Sequence, residues 1–471
     1  MSREKEFTKN TIILLIGKFC TQFISLLLIP LYTHYLITSD YGNVDLIQTY
    51  ISLFVPILTL KLDSVAFRFL IDVRDRENEK KKIISNILSV TLLSTIVFSI
   101  LYIIFTSYFS ITYRICTFFN ILILMLSNVF LQFLRGLGKN KEYTITSIIT
   151  AFITVVMNFV LIIGFKYNAS SILISSSIAN VVAIAFIIKK INLLSYFSFK
   201  LIDKHEFKKM LVYSIPMIPN QLSWWIVNVS DRTLISIFLG VEMNGIYAIS
   251  CKFSNIINTI FSVFSTSWQE TASLHINDEN KDEFFSEMIN KMLKMFSGIS
   301  IMIVAILPFV YSIIIGEEYL KSFEIIPILV FGNIFNIIIG LIGGLYVAMK
   351  RIKEIANTTI ISAIINIVIN FLFIRYIGLY AAAISTLVAY LAMSIYRYYD
   401  VRKYIKIKIS KIDMLLITSL FIMAIICYQF NNITLNIVLL IISVIISIIL
   451  NYKLIIDIIF KIKTILRKLH K

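Results

Sequence analysis

The sequence predicts an all-α integral membrane protein of about 14 transmembrane helices, built as two parallel six-helix lobes around a central cavity plus two C-terminal helices. Three observations predict it: fourteen apolar stretches run along the 471 residues, positive charge falls in every second gap between them, and the chain repeats itself internally. The stretches lie at about 11–31, 43–67, 83–106, 115–134, 143–165, 168–188, 211–237, 245–265, 295–315, 324–348, 355–374, 379–396, 412–427 and 433–452. Most are long enough for a helix rising 1.5 Å per residue to cross ~30 Å of hydrocarbon.

Taken in order, the first stretch follows the basic segment Met1 to Asn10. It is too long for a signal-peptide core and lacks a cleavage site, so it reads as an uncleaved first helix. The second contains Pro56, which removes a helix N–H and predicts a kink. Stretches three to six are almost purely apolar and joined by short gaps. The longer gap Lys189–Met210 holds an amphipathic piece, Phe199 to Met210, expected to lie on the membrane surface. Stretches seven and eight are polar along one side, nine to twelve are apolar again, and thirteen and fourteen are rich in Ile and Leu from Met414 to Leu450.

Charge sets the topology. Of 44 Lys and Arg, 36 lie in the N-terminus, the even gaps and the C-terminus, and four lie in the odd gaps: Arg114, Lys166, Lys321 and Arg375. Cationic loops stay in the cytoplasm, which places both termini there and the protein in the cell membrane as a multi-pass chain.

Composition excludes several classes of function. With 58% hydrophobic and 15% charged residues and a mean hydropathy of +0.86, the chain falls far below the ~25% charge of a soluble globule. The net charge of +17 follows the membrane topology, so anionic membrane lipids, and not nucleic acid, are its expected counterpart. Cys20, Cys116, Cys251 and Cys427 are scattered without ligand spacing, and neither a metal nor a cofactor is expected. No gap could hold a soluble catalytic domain, and no D-x-D, P-loop or HExxH is present, so the chain reads as a transporter and not an enzyme.

A shift of 212 residues pairs Lys141-Glu142 with Lys353-Glu354, Asn158-Phe159 with Asn370-Phe371, and Ala169 with Ala381. A shift near 203 pairs Gly42 with Gly245. The copies are an even number of spans apart and share one orientation, giving lobes over 1–195 and 196–405, followed by 406–471 with the last two helices and a basic tail. A site at the interface of parallel repeats can open to either face by rocking.

Lys18, Lys61, Asp63, Asp231, Arg232 and Lys252 lie inside spans one, two, seven and eight, the first two of each lobe. An ionised side chain at the bilayer centre costs ~2.5–3.5 kcal/mol on insertion scales, so these groups must face water, each other or a ligand. Span seven carries Gln221, Trp225, Asn228 and Arg232 as one stripe, and span eight carries Lys252, Asn255, Thr259, Ser262 and Thr266. Span one offers Lys18, Gln22 and Ser25. Span two offers Asp45, Thr49, Ser52, Thr59 and Asp63 on one face, with Lys61 and Arg68 on another. Arg232 and Lys252 sit about two turns from the outer helix ends with nothing evident to reach, and are expected to line a substrate path with Lys18 and Lys61. Arg68, Gln22, Gln221, Trp225, Asn228 and Asn255 are secondary candidates. Asp63 and Asp231 are candidates for ion coupling, while Asp63 has Lys61 or Arg68 as a neutralising partner in the plainer reading. A net cationic cavity selects anions, above all phosphate, which Arg grips bidentately and Lys binds as a point charge.

Asp231-Arg232, Leu239-Gly240, Gly245-Ile246-Tyr247 and Lys252 resemble the seventh and eighth helices of polysaccharide flippases in the multidrug, oligosaccharidyl-lipid and polysaccharide (MOP) exporter superfamily. Arg68-Phe69, Glu318-Tyr319-Leu320, and Asn366 to Asn370 followed by Gly378 and Ala381-Ala382-Ala383 resemble the same branch, the O-antigen and capsule repeat-unit flippases. The resemblance implies transport of a polyprenyl-pyrophosphate-linked oligosaccharide from the inner to the outer leaflet by alternating access. It also implies that Lys18, Lys61, Arg232 and Lys252 hold pyrophosphate and acidic sugars, that spans thirteen and fourteen form a groove for the lipid tail, and that a polysaccharide polymerase or glycosyltransferases of the same pathway are partners. A cation-coupled multidrug exporter of the same fold, a lipid II flippase and a membrane glycosyltransferase or polymerase are the alternatives.

Overall fold

The computed structural model describes residues 17–18, 20–21, 23–24, 26–108, 112–430 and 432–469; the side chains of residues 220, 228, 266, 352, 453–455 and 457–469 lie outside that description. The described residues form helices and tight turns, with no strand among them. Hydrocarbon offers the backbone no hydrogen-bond partner, and a helix satisfies its own N–H and C=O groups. Contacts divide the chain into two compact units, through Gly245 and from Ile246 onward.

The first unit comprises α1 (26–35), α2 (Thr38–Leu58), α3 (Leu62–Ile71), α4 (Glu77–Tyr108), α5 (Arg114–Gly136), α6 (Asn140–Phe159, continued by a π-turn at Val160–Gly164), α7 (Ser170–Ile191), α8 (Lys204–Ser214) and α9 (Met217–Phe238). The second apolar stretch is thus two helices, not one. Pro56 sits within the last turn of α2 and cannot donate to the ladder, and Leu60 and Lys61 then take left-handed φ values of 52° and 57°. Each such non-glycine residue costs about 1–2 kcal/mol, so surrounding structure enforces the break. Leu62, Val65, Ala66 and Leu70 of α3 are fully buried in the core of this unit, beside Ile84, Phe133, Ile187 and Met210.

The piece from Phe199 onward is fastened to the start of α4. Ser85 bonds Tyr196 O and Ser198 N, Asn86 bonds Leu201 O and Asp203 N, and Lys82 meets Asp203 at 2.5 Å. Asp203 also caps α8. The Lys82 ammonium and the His205 N–H together hold its carboxyl below the usual aspartate range.

The second unit contains α10 (Val241–His275, whose first turn belongs to the first unit), α11 (Lys281–Ile314), α12 (Ile326–Ala348), α13 (Ile352–Ile377), α14 (Leu379–Val401), α15 (Lys411–Phe430) and α16 (Ile433–Leu469). α12 is the central helix, apolar all round and buried along nearly its whole length, as a helix hydrophobic on every side must be. It packs on α14, which also packs on α13, while α11 packs on α16.

Arg397 of α14 is 1% exposed and has no carboxylate partner among the described residues. Its fork donates to Thr358 Oγ1 at 2.9 Å, Ile339 O at 3.1 Å and Ile355 O at 3.2 Å, tying α12, α13 and α14 together. Arg397→Lys keeps the charge but offers one donor head in place of a planar fork. It is expected to lower stability by about 2–3 kcal/mol, the scale of one lost charge-assisted bond, measured by denaturant unfolding of the solubilised protein.

Among the described residues, ten helices are long and apolar enough to cross a membrane: α4 to α7 and α11 to α16, with α6 counted through its π-turn and α12 with the 3-10 turns before it. α2, α9 and α10 are not among them. These are three of the four segments to which the sequence assigns the intramembrane charges, and their Asp, Arg, Lys and Asn residues lower their hydropathy.

The sequence repeat puts a seam near residue 196, whereas α8 and α9 cluster with the first unit. Contacts between α2 and α9 account for that. Gly42 and Gly245, paired by the 203-residue register, are also neighbours in space. A Cβ on Gly42 would sit 2.0 Å from Val241 O, and one on Gly245 would sit 2.2 Å from Thr38 O, so the two backbones touch where only glycine fits.

Candidate functional site

α2 presents Asp45 and Thr49, one turn apart, toward α9. Arg232 Nε donates to Asp45 Oδ2 at 2.7 Å, and the two side chains are 12% and 8% exposed. Two turns away the Trp225 indole N–H donates to Thr49 O at 3.0 Å. Between them Thr233 donates to the Tyr50 hydroxyl at 3.2 Å, and Tyr50 stacks on Trp225 with ring centroids 6.2 Å apart. The stripe expected to be a wet face therefore seats Trp225 and Arg232 against α2. Arg232, which the sequence leaves without a partner, is neutralised by an aspartate 187 residues away. Gln221 is half-buried on the same helix. Gln22 and the side chain of Asn228 lie outside the described residues.

Lys61 occupies the break between α2 and α3, with its ammonium 3.7 Å from Asp63 Oδ2. That contact is loose, and Asp63 Oδ1 is buried without a hydrogen bond. Arg68 does not share it: its Nη1 bonds Asp72 Oδ1 at 2.6 Å on an exposed turn. The plain pairing of Asp63 with Lys61 is the one the structure forms.

Lys18 is exposed, one residue from Gly17, whose Cα packs tightly on Thr144 of α6. Close enough for their charges to repel is Arg135, near the end of α5. The Arg135 guanidinium lies between Phe67 (4.4 Å from the ring centroid) and Tyr143 (5.5 Å) and donates to Gln132 Oε1 at 3.3 Å, while its Nε is buried with no acceptor. No carboxylate lies within ion-pair distance of Lys18 or Arg135 among the described residues. Arg135 is absent from the sequence candidates because charge pattern counts it as a loop cation. A signal exists: it is seven residues from Asn128, on the same face of α5.

In the second unit Lys252 is half-buried on α10, and Asp231 in the first is 3% exposed; each has an interaction partner. Asn255 is exposed and begins a carboxamide ladder to α12. Asn258 bonds Asn255 at 3.2 Å and Asn333 at 3.0 Å, Asn336 bonds Asn258 at 3.2 Å, and Asn333 bonds Ser254 O at 2.7 Å. Trp268 is 1% exposed, with its indole N–H donating to Leu341 O at 2.8 Å. No cluster of three or more His, Cys, Asp or Glu suited to a metal occurs among the described residues.

A bundle of membrane-crossing helices whose polar segments carry a buried ion pair defines a multi-pass membrane protein. The family model described as polysaccharide biosynthesis protein matches residues 7–269, more than half of the chain. The chain belongs to that family. Solved structures share the fold. The lipid II flippase MurJ in an inward closed conformation aligns over 95% of this chain and 100% of its own at 17% identity, with a TM-score of 0.63. An inward-facing multidrug resistance MATE family transporter of the MOP superfamily covers 84% of this chain and 98% of its own at 14% identity and 0.65. A MOP superfamily transporter from Pyrococcus furiosus, described as having a binding pocket of reversed polarity, covers 85% and 95% at 14% and 0.60. No curated protein sequence matches the chain.

Proposed function

We propose that this protein moves a polyprenyl-pyrophosphate-linked oligosaccharide from the inner to the outer leaflet of the cell membrane by alternating access, for surface polysaccharide assembly. The observation that carries the substrate class is that Lys18 and Arg135 are near enough to repel, with no carboxylate within ion-pair distance of either among the described residues, in a chain of the polysaccharide biosynthesis family. Two cations held together without a carboxylate repel each other, and a pyrophosphate between them turns repulsion into attraction. Arg135 supplies a planar fork whose Nε lacks an acceptor, and Lys18 supplies a mobile point charge.

Lys61 extends the same path. Its 3.7 Å contact with Asp63 is weak enough for a phosphate oxygen to compete for the ammonium. Arg232, bonded to Asp45, meets an anion only when that pair opens, so in this reading it is a conditional contact. With the basic loops cytoplasmic, the Lys18 and Arg135 end of the unit faces the leaflet where such a lipid is assembled. An exporter of organic cations would need the opposite sign here.

Proteoliposomes carrying the full-length protein and a fluorescent polyprenyl-pyrophosphate oligosaccharide test this. The expected result is protein-dependent loss of lectin access to the sugar on the loading side, at a rate above that of empty liposomes. Movement of cationic dyes with no movement of the lipid would overturn it.

A further inference from the structure

Beside the α2–α9 seam, the first unit has an open cavity of about 290 Å³ between α2, α5 and α7. Its polar lining is Gln48 and Ser52 of α2, Asn120 and Asn128 of α5, and Ser176 of α7. Leu124, Ile51, Val55 and Pro56 supply the apolar remainder. No ionisable side chain lines it among the described residues. The spacings are helical: Gln48 and Ser52 are four apart, Asn120 and Asn128 eight, so each pair projects from one face.

Part of this polarity is structural. Asn120 donates to Leu173 O and to Ser177 Oγ, both at 3.0 Å, binding α5 to α7. Ser52 Oγ is turned onto its own helix at Thr49 O. The carboxamides of Gln48 and Asn128 and the hydroxyl of Ser176 are different, for they hydrogen-bond to no described residue. Asn128 is exposed and Gln48 and Ser176 are half-buried, so their free donors and acceptors are open to whatever enters the cavity.

Chemistry narrows what that is. A phosphate would find no cation, and a metal ion would find no carboxylate. A lipid tail would strand both amides. A hydroxyl-rich neutral ring suits the lining, because each sugar hydroxyl both donates and accepts and so matches the two ends of a carboxamide. Its C–H faces suit Leu124, Val55 and Pro56. The volume is near the lower limit of ~300 Å³ for small-molecule sites, room for one ring and not for a chain of them. We propose that this cavity is a sugar subsite that holds a single uncharged pyranose of the lipid-linked saccharide through Gln48, Asn128 and Ser176. The subsite rests on the flippase reading and adds to it that sugar is recognised apart from phosphate.

The test uses full-length protein in nanodiscs. Trp225 bonds Thr49 O, one residue from Gln48, and is the natural reporter once Trp224 and Trp268 are replaced by Phe. Methyl glycosides of glucose, galactose, N-acetylglucosamine and N-acetylgalactosamine, inorganic pyrophosphate and sodium chloride are titrated separately against its fluorescence. The expected result is saturation by at least one neutral glycoside, weakened about tenfold by Gln48→Leu and by Asn128→Leu. Both substitutions increase apolarity in a membrane helix and are expected to leave folding intact. Saturation-transfer NMR on the protein with its native tryptophans repeats the wild-type measurement free of the reporter substitutions. The subsite is overturned if no glycoside binds by either method, if binding survives both substitutions, or if sodium alone competes away the signal. Each of those results leaves the flippase reading to be decided by the translocation assay, since that assay follows the pyrophosphate lipid and not the free ring.

Discussion

Arg232→Ala lowers the stability of the solubilised protein by about 3–5 kcal/mol, a greater loss than the one expected of Arg397→Lys. The magnitude comes from what remains: Asp45, 8% exposed, would be left as a buried carboxylate whose guanidinium partner is gone. Asp45→Ala strands Arg232 in the same way. The double variant Asp45→Asn with Arg232→Gln recovers most of the loss, because two neutral amides tolerate the site without a counter-ion. Unfolding midpoints of the four proteins in a common detergent check these expectations. Equal midpoints for wild type and Arg232→Ala would mean that the pair does not fasten α9 to α2. The seam has other holds, the Trp225 bond to Thr49 O and the Thr233 bond to Tyr50, so the single variant is expected to fold and insert.

Arg135→Gln has the opposite profile: translocation falls about tenfold or more while stability stays at or slightly above wild type. One charge-assisted hydrogen bond to a phosphate is worth about 1.5–3 kcal/mol, which is roughly ten- to a hundredfold in affinity. Removing the guanidinium also relieves its repulsion of Lys18. Lys18→Gln behaves alike. Arg135→Lys retains charge but loses the plane held between Phe67 and Tyr143, and falls between wild type and Arg135→Gln. Measured together, transport rate and unfolding midpoint separate the two accounts. A structural arginine would lower the midpoint and lose transport in proportion, and that outcome would remove Arg135 from the substrate path.

Much of this protein can be read in its residues. Ten of the expected spans are helices apolar enough to cross a bilayer. Span one lies largely outside the described residues; the other segments that fall short carry Asp45, Asp231, Arg232 and Lys252, because the polarity that marks a site also erases the hydropathy signal. Pro56 predicts a kink; the form of the break, with Leu60 and Lys61 both left-handed, is not in the sequence. Proline shows where a ladder must fail, and only the packing of α3 shows how the chain resumes. The stripe of Trp225 and Arg232 is legible as a stripe, yet helical period cannot say whether a polar face meets water or another helix. Here it meets α2.

Arg135 shows the same limit from the other side. Gap counting places it with loop cations, since charge pattern records which side of the membrane a residue is on and not how far into a bundle it reaches. Its surroundings depend on Phe67, 68 positions before it, and on Tyr143, which lies on the next helix.

The sequence by itself determined that the chain is a polytopic helical membrane protein with an internal repeat and cations inside its spans. Those properties follow from composition and period, which act residue by residue against the solvent. Tertiary structure decided which charges are spent and which are not: Arg232 on Asp45, Lys61 loosely on Asp63, Lys18 and Arg135 on no carboxylate among the described residues. Pairing depends on distances between residues as far as 187 positions apart, and those distances exist only once the helices have packed.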